Sequence, residues 1–79
     1  MTLNEAIKKR ILELIDEKSM TLTSLCLNSN ITPSTLFDFM NGKVKSPTAM
    51  TIKKICMGAS ITLSEFFAPT YFNDFDDCL

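Results

Sequence analysis

The stretch "LTSLCLNSNITPSTLFDFMNGK", residues 22–43, decides the fold. Thr21 can cap a helix whose inward residues are Leu22, Leu25 and Cys26. Asn28, Ser29 and Asn30 are poor interior helix residues and good turn residues, and Asn30 can take the left-handed conformation that ends a helix. Thr32 then caps a second helix with Pro33 at its favoured first position. Leu36, Phe39 and Met40 fall at i, i+3 and i+4 and face inward, and Asn41-Gly42 closes the helix.

Two short helices joined by so tight a turn cross at a steep angle. The first then needs a small residue at the crossing, which Cys26 supplies. The turn needs a positive φ four residues later, at Asn30. Leu25, Ile31, Leu36 and Phe39 are the apolar residues that flank the turn and hold the second helix. This is the geometry of a helix-turn-helix, spanning about 21–41.

Outward from this unit the pattern stays helical. Thr2 and Glu5 form a T-x-x-E capping box for a helix over about 3–18, with Ile7, Ile11, Leu14 and Ile15 on one face. A helix follows Pro47, with Met50, Ile52, Ile55, Cys56 and Ala59 available to the core. Thr62 and Glu65 box a short helix "LSEFF" that Pro69 stops. No strand and no internal repeat is evident. The reading is all-α: a compact five-helix domain over 1–68 with a C-terminal aromatic and acidic tail over 69–79.

Composition narrows the function. The chain has 79 residues, 46% of them hydrophobic, enough for one small core. No apolar run approaches the roughly 18–20 residues of a membrane span, and the amphipathic start lacks a signal peptide's apolar middle. Three cysteines, no histidine and no ligand spacing argue against a zinc site. Cys26 and Cys56 read as small core residues in a reducing cytoplasm, and Cys78 as part of the tail. Without histidine, a Gly-rich phosphate loop or a nucleophile with a base beside it, an enzyme is not expected, nor a cofactor or small-molecule substrate. Small-molecule sensing would call for a second domain. Net charge is −1, but all eight basic residues precede position 55, and Asp74, Asp76 and Asp77 fall in the last six positions. A weakly basic body with an acidic tail leaves nucleic acid open as a partner.

The order of these pieces resembles the phage-repressor/Cro-like (Xre-type) helix-turn-helix family over about residues 5–67. The matching pieces are "LTSLCLNSNITPSTLFDFMNGK", then Pro47, then "TIKKICMGASITLSEFF". The resemblance implies a lambda-repressor-like five-helix domain that binds double-stranded operator DNA as a dimer and regulates transcription. Four positions depart from the family pattern: Leu22 where a phosphate-holding Gln is common, Asn30 for the turn glycine, and Ile15 with Met40 for an Arg–Glu pair. Replacing both partners of a buried ion pair by apolar groups can be neutral or stabilising.

By the same resemblance Pro33, Ser34, Phe37 and Asp38 are the candidates to approach base edges. Ser34 can pair with any base, Asp38 can accept from cytosine N4, and Phe37 can touch a thymine methyl. Candidates for the phosphates are Thr21, Thr23, Thr32, Thr35, Asn41, Lys43 and Lys45. Lys8, Lys9 and Arg10 read as an ordinary solvated helix face that adds only to the field. Phe66 is expected to close the core, while Phe67, Tyr71, Phe72 and Phe75 are candidates for a homodimer patch. The Asp74–Asp77 cluster reads as a solvated tail. The competing reading is a helix-turn-helix domain that docks a protein through Phe37 and Asp38, with little DNA affinity.

Overall fold

Helix α1 (Leu3–Glu17) begins where Thr2 accepts from Glu5 N–H at 3.2 Å and Glu5 Oε1 accepts from Thr2 N–H at 2.9 Å, so the expected capping box is formed. This computed structural model describes residues 1–43 and 46–74. Its buried stripe is Ala6, Ile7, Arg10, Ile11 and Leu14, with Ile15 half-buried beside it. Arg10 therefore corrects the reading of Lys8 to Arg10 as a solvated face. Its Nε donates to Phe66 O and its Nη2 to Glu65 O, both at 2.8 Å. The guanidinium satisfies two carbonyls at the end of a later helix and is worth more there than a surface charge.

Helices α2 (Leu22–Asn28) and α3 (Pro33–Met40) form the helix-turn-helix. Thr21 caps α2 in a box with Ser24, a partner that the sequence pattern did not reveal. Leu25, Cys26, Ile31, Leu36 and Phe39 are all buried, as the steep crossing requires, and Leu22, Ile15 and Met40 pack half-buried against them. Asn30 has φ +55°. Thr32 stands at the N-cap of α3 with Pro33 behind it, but its side chain makes no capping hydrogen bond.

Helix α4 (Ala49–Gly58) starts at Thr48, whose side chain accepts from Thr51 N–H at 3.2 Å. Ile52, Ile55, Cys56 and Ala59 enter the core, but Met50 does not: at the first turn it is 59% exposed. Helix α5 (Leu63–Phe66) carries the Thr62–Glu65 box and buries Phe66 completely. Among the described residues the chain has these five α-helices, one 3-10 turn over Thr70–Asn73, and no strand.

The helix ends reveal an internal repeat that the sequence reading missed. In α2 the Ile31 N–H bonds Cys26 O at 2.9 Å and Asn30 is left-handed; in α4 the Ile61 N–H bonds Cys56 O at 2.9 Å and Ser60 is left-handed, φ +59°. Both are Schellman closures. A threonine N-cap follows each, Thr32 and Thr62. Aligned on these turns, 19–37 and 49–67 share Met, Thr, Cys, Ile, Thr, Ser and Phe. Thus α4–turn–α5 is a second version of α2–turn–α3. The two versions meet at Ser29 and Gly58: a Cβ on Gly58 would lie 2.0 Å from Ser29 Oγ and 2.9 Å from Ser29 N.

The residues after Pro69 are not a free tail as far as Asp74. The 3-10 turn packs on α1, where the Tyr71 hydroxyl donates to Glu13 Oε1 and Lys9 Nζ lies 4.6 Å from the centre of the Tyr71 ring. Phe72 packs against Phe66 and Phe67, with ring centres 6.0 and 5.0 Å apart. Asp74, expected to be solvated, lies 2.8 Å from the Met1 amino group. Phe75, Asp76, Asp77 and Cys78 lie outside the described residues.

Candidate nucleic-acid interface

Helix α3 is fixed from behind and open in front. Leu36 and Phe39 are seated in the core at 1% and 3% exposure, and Lys8 Nζ lies 5.5 Å from the centre of the Phe39 ring. The opposite face presents exposed Ser34 and Phe37, with Pro33 and Asp38 half-buried beside them, and exposed Thr35 stands at its edge toward α4. The four base-contact candidates thus share one side of one eight-residue helix. Phe37 is held against neighbours over most of its surface and shows 37% of it.

Around this face the chain supplies hydrogen-bond donors more than charges. Thr21 is exposed but its hydroxyl is engaged in the cap of α2, whereas exposed Thr23 lies in the first turn, where backbone N–H groups lack helical partners. The uncommitted Thr32 hydroxyl leaves the start of α3 with a free side-chain donor beside the Ser34 N–H. At the other end, exposed Asn41 and Gly42 (φ +79°) close α3, and the Lys43 N–H bonds Asp38 O at 2.8 Å. This closure sets exposed Lys43 directly after the helix. Lys45 lies outside the described residues.

The cations fall into two groups. Lys8, Lys9 and Arg10 are engaged inside the chain, on the Phe39 ring, the Tyr71 ring and the α5 carbonyls. Arg10 also lies 3.7 Å from Glu13 and 3.9 Å from Glu17. Lys18, Lys43 and Lys53 are exposed and Lys54 half-exposed, and none has an ion-pair partner among the described residues.

Titration adds no reactive group to this surface. Burial pushes the Cys26 and Cys56 thiols up, so they stay protonated and inert. Burial, and then the bond to Glu13, raises the Tyr71 hydroxyl. The capping bonds to Thr2 and Thr62 hold the Glu5 and Glu65 carboxyls below the usual range. Among the described residues no cluster of side chains could hold a metal ion, and no helix is long and apolar enough to cross a membrane.

The described homodimer candidates lie at the end of α5 and in the turn after it. Phe67 is 39% exposed, and it meets Phe66 edge-on with ring centres 4.9 Å apart. Tyr71 and Phe72 are each half-buried within their own chain, so their free surface is smaller than the sequence implies. Leu63, one turn before Phe67 on α5, adds 45% of its surface to the same side.

No curated protein and no solved structure matches this chain. The model of one family, the Cro/C1-type HTH DNA-binding domain, matches residues 10–70. That span takes in the helix-turn-helix, α4, α5 and the arginine that ties α1 to α5. The chain belongs to the Cro/C1-type helix-turn-helix DNA-binding domain family.

Proposed function

We propose that this domain is a sequence-specific transcriptional regulator, acting as a repressor in the reducing cytoplasm. It lays α3 in the major groove as one half of a homodimer. The observation that carries this reading is the outward face of α3. Ser34, Phe37 and Asp38 stand on a helix fastened through Leu36 and Phe39, with Lys43 set just beyond its end.

The face has no cation, so base readout is weak and apolar: Ser34 to any base edge, Asp38 to cytosine N4, Phe37 to a thymine methyl. The grip comes from its flanks. The open first turns of α2 and α3, with Thr23, Thr32 and Thr35, take phosphates by hydrogen bonds. Thr21 contributes through its backbone, and Asn41, Lys43 and Lys45 hold the strand past the C-terminal end of α3. A dimer through the Leu63–Phe67 side of α5, extended by Tyr71, Phe72 and Phe75, doubles the contacts. Two helices then lie about one turn of DNA apart.

Selection of bound duplexes from a random-sequence pool at about 100 mM salt tests this. An enriched palindrome with half-sites roughly 10 base pairs apart is expected. Failure to enrich any motif, with no shift of any duplex at low salt, would instead favour a protein partner docking on Phe37 and Asp38.

A further inference from the structure

Behind the exposed face of α3 there is a cavity of about 150 Å³, between that helix and the start of α4. Its buried walls are Leu36 and Phe39, both under 4% exposed, with half-buried Pro47 and Thr51 opposite. Exposed Thr35 and Ser46 stand at its mouth. Among the described residues no charged side chain lines it. Four of its lining residues carry hydroxyls, of which those of Thr48 and Thr51 lie 3.0 Å apart and satisfy one another. The Thr35 and Ser46 hydroxyls make no hydrogen bond among the described residues.

We infer that this cavity is a binding site for a small neutral ring compound carrying one hydroxyl, of the size and kind of phenol. Volume sets the size: an apolar cavity of about 150 Å³ accepts benzene in an engineered protein and stays dry otherwise. The lining sets the chemistry. A carboxylate or ammonium entering it would lose its hydration with no opposite charge in return, so charged ligands are excluded. A bare hydrocarbon leaves the Thr35 and Ser46 hydroxyls unused, whereas one hydroxyl on the ligand pairs with them. The site needs no second domain, which removes the sequence-based objection to small-molecule sensing. Leu36 and Phe39 also seat α3, so an occupant bears on the helix that reads DNA. That consequence rests on the proposed function, but occupancy itself does not.

Phenol titrated into the full chain without DNA tests the site, followed by the NMR signals of the Leu36 methyls and the Phe39 ring. A saturable shift with a midpoint of about 1 mM is expected, a modest affinity that so small a ligand can reach. Benzoate, with the same ring and a charge, is expected to bind at least about tenfold more weakly. Thr51→Leu, which carries a larger apolar side chain into the cavity and leaves the Thr48 cap in place, should weaken phenol by a similar factor. Thr51→Val, which keeps the volume, should not. The proposal is overturned if phenol produces no saturable shift up to about 20 mM. Equal binding of benzoate, or undiminished binding by a folded Thr51→Leu variant, overturns it too.

Discussion

Replacing Gly58 by alanine should destabilise the domain, although helix propensity alone favours the change by up to about 1 kcal/mol. Gly58 ends α4 and has an ordinary helical φ, so its backbone does not require glycine. Space does. The new Cβ would lie 2.0 Å from Ser29 Oγ, 2.9 Å from Ser29 N and 3.0 Å from Ser29 Cα. The hydroxyl can swing aside, but the two backbone atoms belong to the end of α2 and move only with that helix. Overpacking of this kind costs about 1–3 kcal/mol, and contact with backbone puts it at the upper end. Net of propensity, Gly58→Ala should lose about 2 kcal/mol, a fall in Tm of roughly 8–16 °C for a chain of this size.

Thermal and urea unfolding by circular dichroism measure this, with Ser29→Ala as the second arm of a cycle. Ser29 Oγ is buried without a hydrogen-bond partner among the described residues. Ser29→Ala alone should therefore be neutral or stabilising by up to about 1 kcal/mol. In the double variant it should restore only part of the loss, because the 2.9 and 3.0 Å backbone approaches remain. A Gly58→Ala protein as stable as the parent would refute the close crossing of α2 and α4. Full rescue by Ser29→Ala would show that the hydroxyl alone was the obstacle.

Three further outcomes follow from the same geometry. Ser19 and Ser60 hold φ +52° and +59° without being glycine, so Ser19→Gly and Ser60→Gly should each stabilise by about 1 kcal/mol in urea titrations. Asn30→Gly should gain less, since asparagine tolerates this conformation. Lys43→Ala with Lys45→Ala should lower the slope of log affinity against log salt by about 2, whereas Lys8→Ala and Lys9→Ala should leave it unchanged while lowering Tm. Tyr71→Phe should cost about 1 kcal/mol at neutral pH by leaving Glu13 without its donor. The Tyr71 hydroxyl is raised above its ordinary 10.0 in the folded chain. Its contribution is thus whole below pH 10 and lost as pH rises further, and the gap in Tm between the parent and Tyr71→Phe should close there.

The sequence was most legible where local rules act alone. The caps at Thr2, Thr21 and Thr62, the Pro33 start, the left-handed Asn30 and most of the i, i+3, i+4 faces each depend on neighbours within one turn, and these were readable. The Thr48 cap of α4 was missed, and Thr32 makes no side-chain capping bond. What stayed hidden depends on distant residues. Arg10 lies on the apolar stripe of α1, one residue before Ile11 and four before Leu14. That register could have marked it as buried, but the carbonyls that satisfy it belong to α5. Met50 had the right spacing for the core, but in the first turn of α4 it stays exposed, and the helical spacing alone does not say which turns the core covers. The repeat was hidden because conservative replacements dilute it, and the hydrogen bonds at the helix ends reveal it. For the candidate DNA-facing surface, the helix and its outward residues were legible. The commitment of Lys8 and Lys9 to aromatic rings was not, because those rings come from α3 and from beyond α5.

The proposed function has DNA meeting α3 and its flanks, Lys43 among them. It is tested most directly by mapping backbone amide shifts of the isotope-labelled chain as a mixed-sequence duplex is added at about 20 mM salt, where non-specific binding suffices. Docking through α3 predicts the largest changes at Thr23, Thr32, Ser34 to Asp38, and Asn41 to Lys43, with α1 and the 70–74 segment unmoved. Changes centred on α1 or α5, or none at any duplex concentration, would contradict it.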